Sequence, residues 1–240
     1  MLRMLHRTAF FAAGSLVTIV GVASSSAQSA NDANQMSFFV SSRGSGDGAN
    51  FGGLEGADAH CTALAEAAGS TRTWAAYLST SMFIDRSGET PTIVNGVSAR
   101  DRIGTGPWHN AKGVMIAKDV EDLHSENNNI NLETALDETG NPINGRGGDE
   151  PLEHDILTGS DFNGHYSTAG QLTSEGADTT CKNWTSNGEG SAIVGHHDRA
   201  GLNESKSMVS WNSSHGTAGC GEADLPKTGG VGLIYCFATD

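Results

Sequence analysis

Leu54-Glu-Gly-Ala-Asp-Ala-His-Cys-Thr-Ala-Leu-Ala-Glu-Ala-Ala68, followed by Thr73-Trp-Ala-Ala-Tyr-Leu-Ser79, is the stretch from which the fold is read. Leu54, Ala57, Cys61, Leu64, Ala65 and Ala68 recur at helical spacing, and Gly69 supplies a stop. That spacing places Cys61 on the buried face of a helix. Thr73 to Ser79 is rich in aromatic and apolar residues and reads as a strand, as does Ser37-Phe-Phe-Val-Ser41 upstream. The chain therefore opens β-α-β, with the glycine-rich loop Arg43 to Gly53 between the first two elements.

Outward from this unit the pattern is less regular. Between Asp85 and His154, the segments Val114 to His124 and Leu132 to Glu138 are expected to be helical, and Asn127 to Asn129 and Gly140 to Gly148 to be loops. Short strands are expected at His154 to Gly159, Cys181 to Thr185, Ala192 to Val194, Val209 to Trp211 and Gly232 to Phe237. Gly, Ser and Asn turns separate them, the signature of an antiparallel sheet. With 32 glycines and 18% charged residues, the composition suits an α+β fold with a mixed or antiparallel sheet and long loops. No internal repeat or linker divides it, so one domain is expected over residues 37–240, behind a loose polar leader at 28–36.

The first residues read as an export signal. Met1 to Arg7 form a basic start, Ala9 to Ala23 an apolar run, and Ser25-Ser-Ala27 the small residues of a cleavage site. Residues 1–27 are thus expected to be a signal peptide, and the protein to be secreted or periplasmic. In such a compartment the four cysteines, Cys61, Cys181, Cys220 and Cys236, should form two disulfides, with three connectivities open. The formal net charge is −14, and removing Arg3 and Arg7 makes it more negative still. Such a surface repels nucleic acid, heparin-like polyanions and anionic membranes. No membrane insertion is expected, because the Ala9–Ala23 run is short for a bilayer span.

Three stretches carry a resemblance to a known family. They are Asp58-Ala-His-Cys61 through Arg72-Thr-Trp-Ala-Ala-Tyr-Leu-Ser-Thr-Ser81; Ile156-Leu-Thr-Gly-Ser-Asp-Phe-Asn-Gly164; and Cys181-Lys-Asn-Trp-Thr185 with Ser210 to Cys220 and Leu233-Ile-Tyr-Cys236. In order and context they resemble the C-type lectin-like fold, most closely its endostatin branch, and secreted bacterial lectin-like proteins. The resemblance implies nested bridges, Cys61 with Cys236 and Cys181 with Cys220. It also implies a non-catalytic recognition module for glycan or a surface protein. Structural matrix or cell-surface protein is the alternative reading, and secreted hydrolase the third. The endostatin zinc and heparin sites do not carry over: no histidine precedes His60 after the leader, and the chain is acidic. Glu150-Pro-Leu152 and Trp211-Asn-Ser213 stand nearest the Glu-Pro-Asn and Trp-Asn-Asp motifs of the calcium-dependent sugar site. Each lacks one oxygen ligand, which weakens calcium binding.

The ligand surface is expected between Glu189 and His215, where Glu189, His196, His197, Asp198, Arg199, Asn203, Trp211, Asn212 and His215 concentrate hydrogen-bonding groups. Within a strand, His196 and Asp198 share one face and His197 takes the other. His196, Asp198 and His215 are the candidate zinc set, calcium being the other cation considered. Trp184 reads as core beside a cysteine, and Trp211 as the exposed platform for a sugar ring. No Gly-x-Ser-x-Gly elbow, His-Glu-x-x-His helix or phosphate loop occurs. His154 and Asp155, adjacent on an expected strand, should point apart. No enzymatic activity is expected.

Overall fold

The computed structural model describes residues 35–148, 150–166 and 178–240. The expected signal peptide and most of the leader lie outside these residues. Met36, assigned to the leader from sequence, is 1% exposed and packs in the core. A six-stranded sheet organises the chain, with β1 (Phe38–Val40), β2 (Trp74–Ala76), β7 (Asp155–Leu157), β8 (Ile193–His196), β9 (His215–Gly216) and β10 (Leu233–Ala238). The strand order is β1-β10-β7-β8-β9, and β2 also pairs with β10. All pairings are antiparallel except β10 with β7. The fold is therefore α+β with a mixed sheet, as expected, and the four cysteines form two bridges.

β10 is central and buried on both faces. Its side chains alternate: Leu233, Tyr235 and Phe237 enter one core with Phe38, Tyr77, Trp108 and Trp211, while Ile234, Cys236 and Ala238 enter the other. The second core holds helix α1 (Gly53–Ala67) through Ala57, Cys61, Leu64 and Ala65. The Cys61–Cys236 bridge joins α1 to β10, and Cys181–Cys220 closes the later loops, with Cα atoms 5.6 and 5.7 Å apart. The outer bridge thus ties the first helix to the last strand.

Several local expectations are corrected. Val114 to His124 is split between β6 (Met115–Ala117), which pairs with β5 (Trp108–His109), and the four-residue helix α2 (Val120–Leu123). Asp119 caps α2, accepting a bond from the Asp122 amide, so the polar Lys118-Asp119 pair interrupts any longer helix. Leu132 to Glu138 is a turn, because the Asn131 side chain takes the Glu133 amide and the Asp137 side chain takes the Thr139 and Asn141 amides. Elsewhere β3 (Phe83–Asp85) and β4 (Thr92–Val94) form a separate hairpin.

Cys181 to Thr185 is not a strand. The short helical segment α3 (Cys181–Trp184) has φ of 48, 56, 56 and 66°, one left-handed turn made of non-glycine residues. Tertiary anchors hold it there: the inner disulfide, Trp184 Nε1 donating to the Ser79 carbonyl at 2.8 Å, and Asn183 Oδ1 accepting the Ser81 amide at 2.7 Å. Trp184 is fully buried, as expected. Val209 to Trp211 also forms no strand. It crosses over β8 where Gly195 lacks a side chain: a Cβ there would lie 1.8 Å from the Trp211 carbonyl oxygen.

Candidate functional site

The register of β7, β8 and β9 assembles a polar cluster on one sheet face. Asp155 lies directly opposite His196, and Val194, two residues before His196, lies opposite His215. Cross-strand partners and i, i+2 neighbours share a face, so Asp155, His196 and His215 project together. The distances follow: Asp155 Oδ1 is 3.2 Å from His196 Nε2 and 3.6 Å from His215 Nε2, and the two histidine Nε2 atoms are 3.0 Å apart. His154 joins them, its Nε2 3.2 Å from the same Asp155 oxygen and its ring stacked on that of His196 at 4.3 Å.

This corrects the expectation that His154 and Asp155 diverge. Alternation holds only inside a strand, and β7 starts at Asp155. His154 precedes it and seats its ring against Gly229, where a Cβ would lie 2.8 Å from the imidazole. Sequence reasoning missed both residues. The available signal was the placement of His154-Asp155 at the start of one apolar strand and His196-His197-Asp198 at the end of another, which antiparallel pairing superposes.

The cluster is buried and electrically unbalanced. His154 and Asp155 are 2% exposed and His196 1%. Neither Asp155 oxygen accepts a hydrogen bond from any described residue, although three ring nitrogens stand within ion-pair distance of Oδ1. Burial disfavours the His196 imidazolium, but the Asp155 carboxylate and the Met208 carbonyl outweigh it and raise the pKa. Asp198 is not in the cluster but behind it, 3.5 Å from His154 Nδ1. Burial opposes its charge, yet the His154 ring and the Arg146 and Ala200 amides hold its pKa down at about 2. His197, just past the end of β8, is not part of the cluster, and burial lowers its pKa to about 4, so it is neutral. His215 is on the rim, its side chain 29% exposed, beside a depression of about 470 Å³ that also reaches Arg146, Leu202 and Met208.

A second cleft, also of about 470 Å³, lies on the other side of the chain segment 199–212. His124, Glu126, Phe162, Asn163, Arg199, Glu204, Lys206, Trp211 and Asn212 are among its lining residues. Lys206 Nζ sits 4.7 Å above the centre of the Phe162 ring. Trp211 is floor rather than platform: it is 3% exposed and packs on Tyr77 and Tyr235, because a large ring on a crossover above β8 has only the core to enter. Asn212 is 1% exposed, and its Nδ2 is the donor to Tyr77 Oη and to the Asp161 and Phe162 carbonyls. It is a fastener inside the fold, which also removes it from any calcium loop. Arg199 likewise donates Nε to the Ile130 carbonyl. Glu189 and Asn203 are exposed and line neither site. No protein-family model matches the chain, and no curated protein matches it.

Proposed function

We propose that the chain is an exported, non-catalytic recognition module with a C-type lectin-like, endostatin-like fold, binding a glycan or a glycan-bearing surface protein. The cleft beside Phe162 and Lys206 carries this reading. It offers the Phe162 ring, one face of which Lys206 covers, both charge signs in Glu126, Glu204 and Lys206, and the amide of Asn163. Donors and acceptors in near balance suit a neutral polyhydroxylated ligand, whose hydroxyls need both and whose ring carbons stack on an aromatic. The net charge of −14 disfavours a polyanion. The nested bridges support the fold assignment, and disulfides support an oxidising location. No described helix is long and apolar enough to cross a membrane.

A glycan array tests the reading. Wild-type protein should bind a defined set of neutral glycans, and Phe162→Ala with Lys206→Ala should abolish the signal without lowering the melting temperature. No binding by wild type, together with self-assembly in light scattering, would instead support a structural protein.

A further inference from the structure

We propose that Asp155, His196, His215 and His154 form a binding site for one zinc-class divalent cation. Four ligands arranged tetrahedrally around zinc at about 2.0–2.1 Å lie about 3.3 Å from one another. Asp155 Oδ1 lies 3.2, 3.2 and 3.6 Å from the Nε2 atoms of His154, His196 and His215, and the last two are 3.0 Å apart. His154, Asp155 and His196 offer ligand atoms all within 4.8 Å of one another. The donor set is nitrogen and carboxylate oxygen, which favours zinc over calcium or magnesium.

Three independent features support an ion rather than a self-contained hydrogen-bond network. Both Asp155 oxygens are buried and accept no hydrogen bond from any described residue, a costly state that a cation relieves. Behind the ring atoms that converge, two of the opposite nitrogens have acceptors: His196 Nδ1 is 2.8 Å from the Met208 carbonyl and His215 Nδ1 3.2 Å from the Gly216 carbonyl. His154 Nδ1 has Asp198 at 3.5 Å, within ion-pair distance but beyond a formed hydrogen bond. A proton on Nδ1 of His196 and His215 leaves each Nε2 lone pair free to ligate, the usual support around metal-bound histidines. Access exists too, through the depression at His215. The His154 ring, now stacked on His196 with 20° between planes, has to turn out of that stack to complete the tetrahedron.

The ligands also bracket a loop. His196 precedes the segment 199–214 and His215 follows it, so one ion would hold its two ends together beneath the proposed glycan cleft.

The test is metal titration of the oxidised, chelator-stripped protein, with zinc by calorimetry and cobalt by visible absorption. Wild type should take up one equivalent, with the intense visible bands of tetrahedral cobalt, displaced by zinc. His215→Ala, at the rim where folding is safe, should weaken binding at least tenfold, and Asp155→Asn should do the same. The Phe162→Ala, Lys206→Ala protein should bind zinc like wild type, whether or not the glycan reading holds. Absence of stoichiometric uptake by wild type, or unchanged affinity in His215→Ala, overturns the site.

Discussion

Tyr77, His124 and Asn212 form a relay whose protons can be placed residue by residue. Asn212 donates to Tyr77 Oη, so the phenol is left to donate to His124 Nε2, 2.8 Å away, while His124 Nδ1 donates to the Val120 carbonyl at 2.7 Å. His124 is therefore neutral, and burial lowers its pKa below the ordinary value of 6.5. The sign follows from linkage: the unfolded chain takes up the proton first, so this contribution is full above pH 6.5 and is lost as pH falls below it. Melting temperature should drop from neutral pH to about pH 5, and His124→Gln should flatten that part of the profile. An unchanged slope in the variant would contradict the relay. Nothing in sequence placed these three side chains together, because they are distant in the chain and meet only through the crossover above Gly195. His196 and His215 were legible through histidine density, whereas strand alternation paired His196 with Asp198, which lies behind the cluster. The same alternation rule misled for His154, whose backbone lies just outside the strand.

Among the elements, α3 is the most strained. Four consecutive L-residues in the left-handed region cost roughly 1–2 kcal/mol each, and Asn183 tolerates it best. Lys182 has φ of 56° and an exposed side chain, and its backbone amide is held by Asp178. Lys182→Gly keeps that amide and removes the Cβ clash. The substitution should stabilise the protein by up to about 1 kcal/mol, read as a higher denaturant midpoint; a lower midpoint would mean the turn is not left-handed. Such a turn is invisible in composition, since Cys-Lys-Asn-Trp has strand-like ends and no glycine. By contrast α1, β1, β2 and β10 were legible, because their apolar periodicity and their burial have the same cause. The elements misread, α2, the 131–141 turns and the 209–211 crossover, are those where Asn, Asp and Ser side chains compete for backbone amides.

For the molecule as a whole, the two bridges close loops separated by 175 and 39 residues, worth roughly 5 and 4 kcal/mol in the chain-entropy account. They leave 199–214 as a long connection, clamped by neither bridge within its own span. On one side it walls the cleft through Glu204, Lys206 and Ser210, and on the other it faces the histidine cluster through Leu202 and Met208. The central claim is that this segment is one unit, fixed at its base by the cluster and walling the proposed glycan cleft. Amide hydrogen exchange of the oxidised protein, with and without one equivalent of zinc, tests that claim most directly. Zinc should slow exchange across 199–214 and leave α1 and β10 unchanged; exchange in 199–214 that does not respond to zinc would contradict it.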